Sequence, residues 1–70
     1  MKTNKMSLRA MRDRRAFSLS DLAARAHVDR MTVHRIERGR QTPQPSTRRK
    51  LAKALHIAVD RIDWSAVEGA

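Results

Sequence analysis

Apolar residues fall in short groups at helical spacing along this chain. Leu8 and Met11 sit three apart behind Ser7, a good N-cap, and predict a first helix from about Ser7 to Arg15. Leu19, Leu22, Ala23 and Ala26 follow an i, i+3, i+4, i+7 pattern, one apolar face over two turns. That second helix, expected over about 18–26, opens at Ser18, and Asp21 three residues on completes a capping box with Asp in place of Glu. A third helix, about 29–38, opens at the N-cap Asp29 and turns Val33 and Ile36 inward. It stops at Gly39, suited to a left-handed C′ position, and Pro43 and Pro45 oppose continuation. A fourth begins near Pro45–Ser46 and presents Leu51, Ala52 and Leu55, and a short fifth is expected from Val59 to Trp64 with Val59 and Ile62 facing in. Alternation of β-branched and aromatic residues is missing, so the pattern predicts no strands. The expectation is an all-α, compact five-helix bundle over residues 7–64, with a flexible arm at 1–6 and a frayed tail at 65–70.

Seventy residues make one domain at most, with a modest core. With no cysteine, neither disulfides nor thiolate-metal sites reinforce it, so stability rests on packing and caps. No apolar run approaches a membrane span, and the basic N-terminus has no apolar stretch behind it to make a secretory signal. Charge changes the picture most. Sixteen Lys and Arg face seven Asp and Glu, a formal +9. Residues 9–53 carry a net +9 and residues 54–70 a net −2, so the cationic surface occupies the body of the chain. Twelve of the sixteen cations are Arg, which suits phosphate and guanine better than solubility alone requires. A polyanionic partner is expected.

Only His27, Val28 and Asp29 separate the second and third helices. So short a break makes them cross steeply instead of lying side by side, with Val28 available to plug the corner. The third helix then turns Arg30, Met31, His34 and Arg35 to solvent, with Thr32 at the edge and Arg38 one turn later. Arg binds guanine O6 and N7 through two parallel hydrogen bonds. Thr and Met contact a thymine methyl, and Thr also bonds a base edge.

The stretch SLSDLAARAHVDRMTVHRIERGRQTP, followed by STRRKLAKALHIAVDRI, resembles the Cro and phage-repressor type of helix-turn-helix domain over about Leu8 to Ile62. Its most specific pieces are Leu22-Ala23, the Val28-to-Val33 spacing, Ile36-Glu37-Arg38-Gly39, Pro43, and Leu51-Ala52 with Leu55. The resemblance implies the five-helix, lambda-repressor-like fold and a salt bridge between Arg12 and Glu37; two unrelated surface charges are the alternative. It implies that Arg30, Met31, Thr32 and Arg35 read bases and that Arg38 and Arg40 lie beside the phosphate backbone; His34, on the same outer face, is expected to read bases with them, and Ser18, at the start of the second helix, to meet a phosphate.

The sequence departs from that pattern in three places. Leu19 stands where the family often has a phosphate-clamping Gln, leaving backbone N–H groups for that task. His27 stands where Gly is common, and a positive φ there would carry a cost. Arg48 and Arg49 fall where an apolar residue is expected. Either the fourth helix is rotated, or Arg48 lays its stem over the core. With Lys50 and Lys53 they form a second basic patch, read either as a phosphate flank or as a solvated face.

No catalytic arrangement competes. His27, His34 and His56 lack metal-ligand spacing, and neither a Ser–His–Asp order nor a glycine-rich phosphate loop is present. No cofactor, enzyme activity or small-molecule effector is expected, and the apolar faces are too narrow for a membrane binder. Phe17 is expected in the core. Trp64 is expected either at the core edge or in a dimer contact, with Ile57, Val59, Ile62 and Val67 as further dimer candidates. The resemblance implies a transcriptional regulator, a repressor, that inserts the helix Arg30–Arg38 into the major groove of double-stranded DNA. A homodimer on a palindromic operator is expected, of a bacterial or phage-encoded protein in the cytoplasm, at the nucleoid. The competing reading is an antitoxin-like or coactivator-like protein-binding adaptor on the same fold.

Overall fold

The computed structural model describes residues 5–65. Its elements are a strand β1 (Met6–Ser7), helices α1 (Leu8–Arg14), α2 (Leu19–Ala26), α3 (Arg30–Glu37) and α4 (Pro45–Ala54), a 3-10 turn (Val59–Arg61) and a strand β2 (Ile62–Asp63).

Side chains expected to start helices do so. The Ser7 hydroxyl accepts from the Ala10 N–H at 3.1 Å, and the Asp29 carboxylate from the Met31 N–H at 3.1 Å. At Ser18 the capping box is complete: Oγ accepts from the Asp21 N–H at 3.0 Å, and Asp21 Oδ2 accepts from the Ser18 N–H at 2.9 Å. α4 starts without a side-chain cap; Pro45, lacking the N–H that would go unpaired, takes the first position instead.

All four helices end alike. In each, two N–H groups beyond the last turn fold back onto carbonyls, in the paired pattern of a Schellman motif. Phe17 and Ala16 close α1 on Arg12 and Asp13; Val28 and His27 close α2 on Ala23 and Ala24. Arg40 and Gly39 close α3 on Arg35 and Ile36, and Ile57 and His56 close α4 on Ala52 and Lys53. The motif needs one left-handed residue, and these are Ala16 (φ 57°), His27 (57°), Gly39 (74°) and His56 (59°). His27, where Gly is common in the family the sequence resembles, thus does take a positive φ.

α2 packs against both α3 and α4. Leu22, Val33, Leu51, Leu55 and Ile62 are sealed from solvent, with Leu8, Met11, Ala23, Ala26, Ile36 and Ala52 around them. Phe17, Leu19, Val28 and Trp64 lie half-buried against this core.

The C-terminal segment corrects two expectations. Among the described residues there are four α-helices, not five, and there are two strands. Val59–Arg61 makes a single 3-10 turn, after which Ile62 and Asp63 extend and pair in parallel with Met6 and Ser7. A six-residue segment is too short to sustain an α-helix without help. The pairing still buries Ile62, as the apolar pattern required. Met6, expected in the arm, is part of this pair. Trp64 packs at the core edge of its own chain, its Nε1–H donating to the Val59 carbonyl at 3.1 Å. Of the arm expected at 1–6 and the frayed tail expected at 65–70, residues 1–4 and 66–70 lie outside the described residues, as does the dimer candidate Val67.

Candidate nucleic-acid interface

The framework of the site is the α2–α3 pair. Val28 is half-buried against the core at the corner between them. α3 is held from inside by Val33 and Ile36, and at its C-terminal end by Glu37, which is buried. There the Arg12 guanidinium grips the Glu37 carboxylate, Nε to Oε2 at 2.7 Å and Nη2 to Oε1 at 3.1 Å. Its third arm donates from Nη1 to the Phe17 carbonyl at 2.8 Å. Hydrogen bonding to Glu37 raises the Arg12 pKa against the opposing effect of burial, so the guanidinium stays charged. The expected salt bridge is present and buried.

With the inner face fixed, the outer face is determined. Arg30, Met31, His34, Arg35 and Arg38 are all exposed. At 3.6 residues per turn they fall within an arc of about 140°. No acidic side chain lies in that arc, because Glu37 faces inward. Met31, at 42% exposure, is the one exposed large hydrophobic side chain among the described residues. Thr32 is half-buried, at the border between this arc and the core side. Arg40 is exposed just past the left-handed Gly39, its N–H committed to the Arg35 carbonyl at 2.8 Å.

At the start of α2 the candidates for phosphate contact are partly occupied. The Ser18 N–H is bonded to the Asp21 carboxylate, and its hydroxyl oxygen accepts from the Asp21 N–H. The Asp21 carboxyl is held below the usual carboxylate range by the Ser18 N–H first and the Ser18 hydroxyl second, with Arg25 adding a smaller pull. Leu19, where Gln was the alternative, packs against the core.

α4 divides the second basic patch. Arg48 lies on the same face as Leu51, Ala52 and Leu55, so the helix is not rotated and the Arg48 stem covers the core edge. Its Nε is buried and has no hydrogen-bond partner among the described residues. It lines a cavity of about 290 Å³ with the Gly39–Pro43 loop and Trp64. Arg49 is exposed. Lys50 and Lys53 turn the other way, toward Arg25, His27 and His56. Sequence reasoning missed that grouping, and the one signal for it was the i, i+3 spacing of the two lysines. Nothing in the pattern announced Arg25, whose guanidinium stacks 4.5 Å from the Phe17 ring centre.

The sequence matches the profile of the helix-turn-helix domain family over residues 6–65. The chain belongs to that family. This helix-turn-helix domain is also 37% identical, over 60 residues, to the HTH-type transcriptional repressor RghR of Bacillus subtilis (strain 168). The match covers 84% of the domain's chain and 44% of the relative, so the chain spans less than half the length of that curated relative. No solved structure gives a significant match. The residues matched include α2, α3 with its outer arc, and the Arg12–Glu37 bridge.

Proposed function

We propose that this domain binds double-stranded DNA sequence-specifically and acts as a transcriptional repressor, with α3 lying in the major groove. The observation that carries the reading is the α3 arc: three arginines, a histidine and an exposed methionine on one rigidly backed face, with no acid among them. Arg30, Met31, Thr32, His34 and Arg35 read base edges; Arg38, Arg40, Arg49 and the tips of Arg48 and Ser18 meet phosphates. The similarity to a protein named as a transcriptional repressor supports repression as the outcome of binding.

Two copies on a palindrome, centred about 34 Å apart, supply the specificity that one half-site lacks. Ile57, Val59, Ile62 and Trp64, the expected dimer contacts, pack on their own chain, Ile62 fully and the others in part. The homodimer we propose, of a bacterial or phage-encoded protein at the nucleoid, is assembled on the DNA. Selection of bound duplexes from a random pool tests the reading. A palindromic consensus is expected, with a log–log salt slope near about −9 if each protomer neutralises about five phosphates. No enrichment, or a flat salt response, would overturn it.

A further inference from the structure

An open groove of about 510 Å³ lies between the C-terminal ends of α2 and α4. Its floor is Ala26 and Ala54, side chains too short to fill the space between the helices. Its rim carries three cations, Arg25 from one side and Lys50 and Lys53 from the other, with the imidazoles of His27 and His56 between them. No carboxylate lines it and no residue of α3 contributes to it. The volume is in the range of binding clefts, about 300–1,000 Å³.

Helix C-termini ordinarily repel anions, because their free carbonyls carry partial negative charge. Here that objection is weakened. The carbonyls of Ala23, Ala24, Ala52 and Lys53 accept from the backbone N–H groups that follow each helix. Both closures put a histidine at the left-handed position, so two imidazoles stand at equivalent places on facing ends. Phe17 holds the Arg25 guanidinium, and Asp21, the nearest acid on α2, is committed to Ser18. Among the described residues the side chains of His27, Lys50, Lys53 and His56 have no hydrogen-bond or ion-pair partner. Gathering Arg25, Lys50 and Lys53 without a counter-charge costs self-repulsion, which an anionic occupant relieves.

Shape decides which anion. A duplex backbone is convex and charged along its whole length, and gains nothing from an alanine floor. We propose that the groove docks an acidic segment of a partner protein, an apolar side chain seated on Ala26 and Ala54 with carboxylates on either side pairing with the rim. The site is independent of the DNA-reading face, and a failed duplex selection leaves it standing.

The probe is a fluorescein-labelled peptide of Asp and Glu with two central leucines, titrated into the full chain at physiological salt and mapped by amide NMR shifts. Shifts are expected at Ala26, His27, Lys53 and Ala54, and are retained when the selected duplex is also bound. The double variant Lys50→Glu/Lys53→Glu weakens binding at least tenfold, whereas Lys5→Glu/Arg61→Glu, with the same charge change elsewhere, alters it less than twofold. Ala54→Leu fills the floor at a half-buried site without changing charge, and also weakens binding at least tenfold. Shifts centred on α3, equal binding of a peptide with serine for leucine, or protection of the groove amides by duplex alone would each overturn the proposal.

Discussion

Arg12 and Glu37, twenty-five residues apart, meet in two parallel hydrogen bonds that tie the end of α1 to the end of α3. Because Arg12 also holds the Phe17 carbonyl, one buried guanidinium fixes the α1–α2 loop and the C-terminal end of the proposed reading helix together. Removing one partner strands the other charge. Glu37→Gln or Arg12→Met alone should therefore cost about 3–5 kcal/mol in urea unfolding, comparable with the whole stability of so small a domain. Arg12→Met/Glu37→Leu should recover much of that loss. Additive single effects would show that the pair does not act as a unit.

Three of the four helix caps place a residue with a Cβ in the left-handed region, at a steric cost glycine avoids. Ala16→Gly, His27→Gly and His56→Gly should each stabilise the domain by up to about 1 kcal/mol, and Gly39→Ala should destabilise it by about as much. Thermal melts of the four variants check the signs.

The capping box at Ser18 predicts a pH dependence. The folded-state pKa of Asp21 is lowered, so its contribution is present at neutral pH and is lost as pH falls through that lowered value. Wild type should exceed Asp21→Asn in stability at pH 7, and the gap should close below about pH 4. Ser18→Ala should cost about 1 kcal/mol at pH 7. Denaturant melts from pH 7 to pH 2.5 separate the two.

On the α3 arc, Arg30→Ala or Arg35→Ala should cost about 1–3 kcal/mol on the selected duplex and relax preference at particular base pairs. Arg40→Ala should weaken all duplexes alike and reduce the salt slope by about 1. Binding isotherms on cognate and scrambled duplexes at several salt concentrations distinguish the roles.

Arg48 carries a buried Nε without a partner, a group whose desolvation is uncompensated. Arg48→Met keeps the stem and removes that group, and should stabilise the domain by about 1–2 kcal/mol. If its tip meets a phosphate, the same variant loses about one unit of salt slope.

The helical core was legible because local chemistry and packing agree there. Ser7, Ser18 and Asp29 announced three helix starts, Gly39 one stop, and the stripes through Leu22, Val33 and Leu51 one core. The segment after Leu55 was not. Val59 and Ile62 stand three apart, a spacing shared by one turn of helix and by a 3-10 turn that runs into a strand. Its partner, Met6–Ser7, is too short to show a period of two. Of the candidate interface, the α3 arc followed from periodicity once Val33, Ile36 and Glu37 were assigned inward. The facing of Lys50 and Lys53 toward His27 and His56 is a tertiary relationship between two helix ends, and no local pattern encodes it.

The parallel pairing of Met6 with Ile62 and Ser7 with Asp63 has a mechanical meaning. Whatever precedes Met6 and whatever follows Asp63 leave this pair at its opposite ends, in opposite directions. A pull between those two ends drags β1 and β2 past each other along their length, so their hydrogen bonds are loaded together in shear instead of peeling one by one. The two short strands act as a clasp: tension on a tethered partner meets them before it reaches α3.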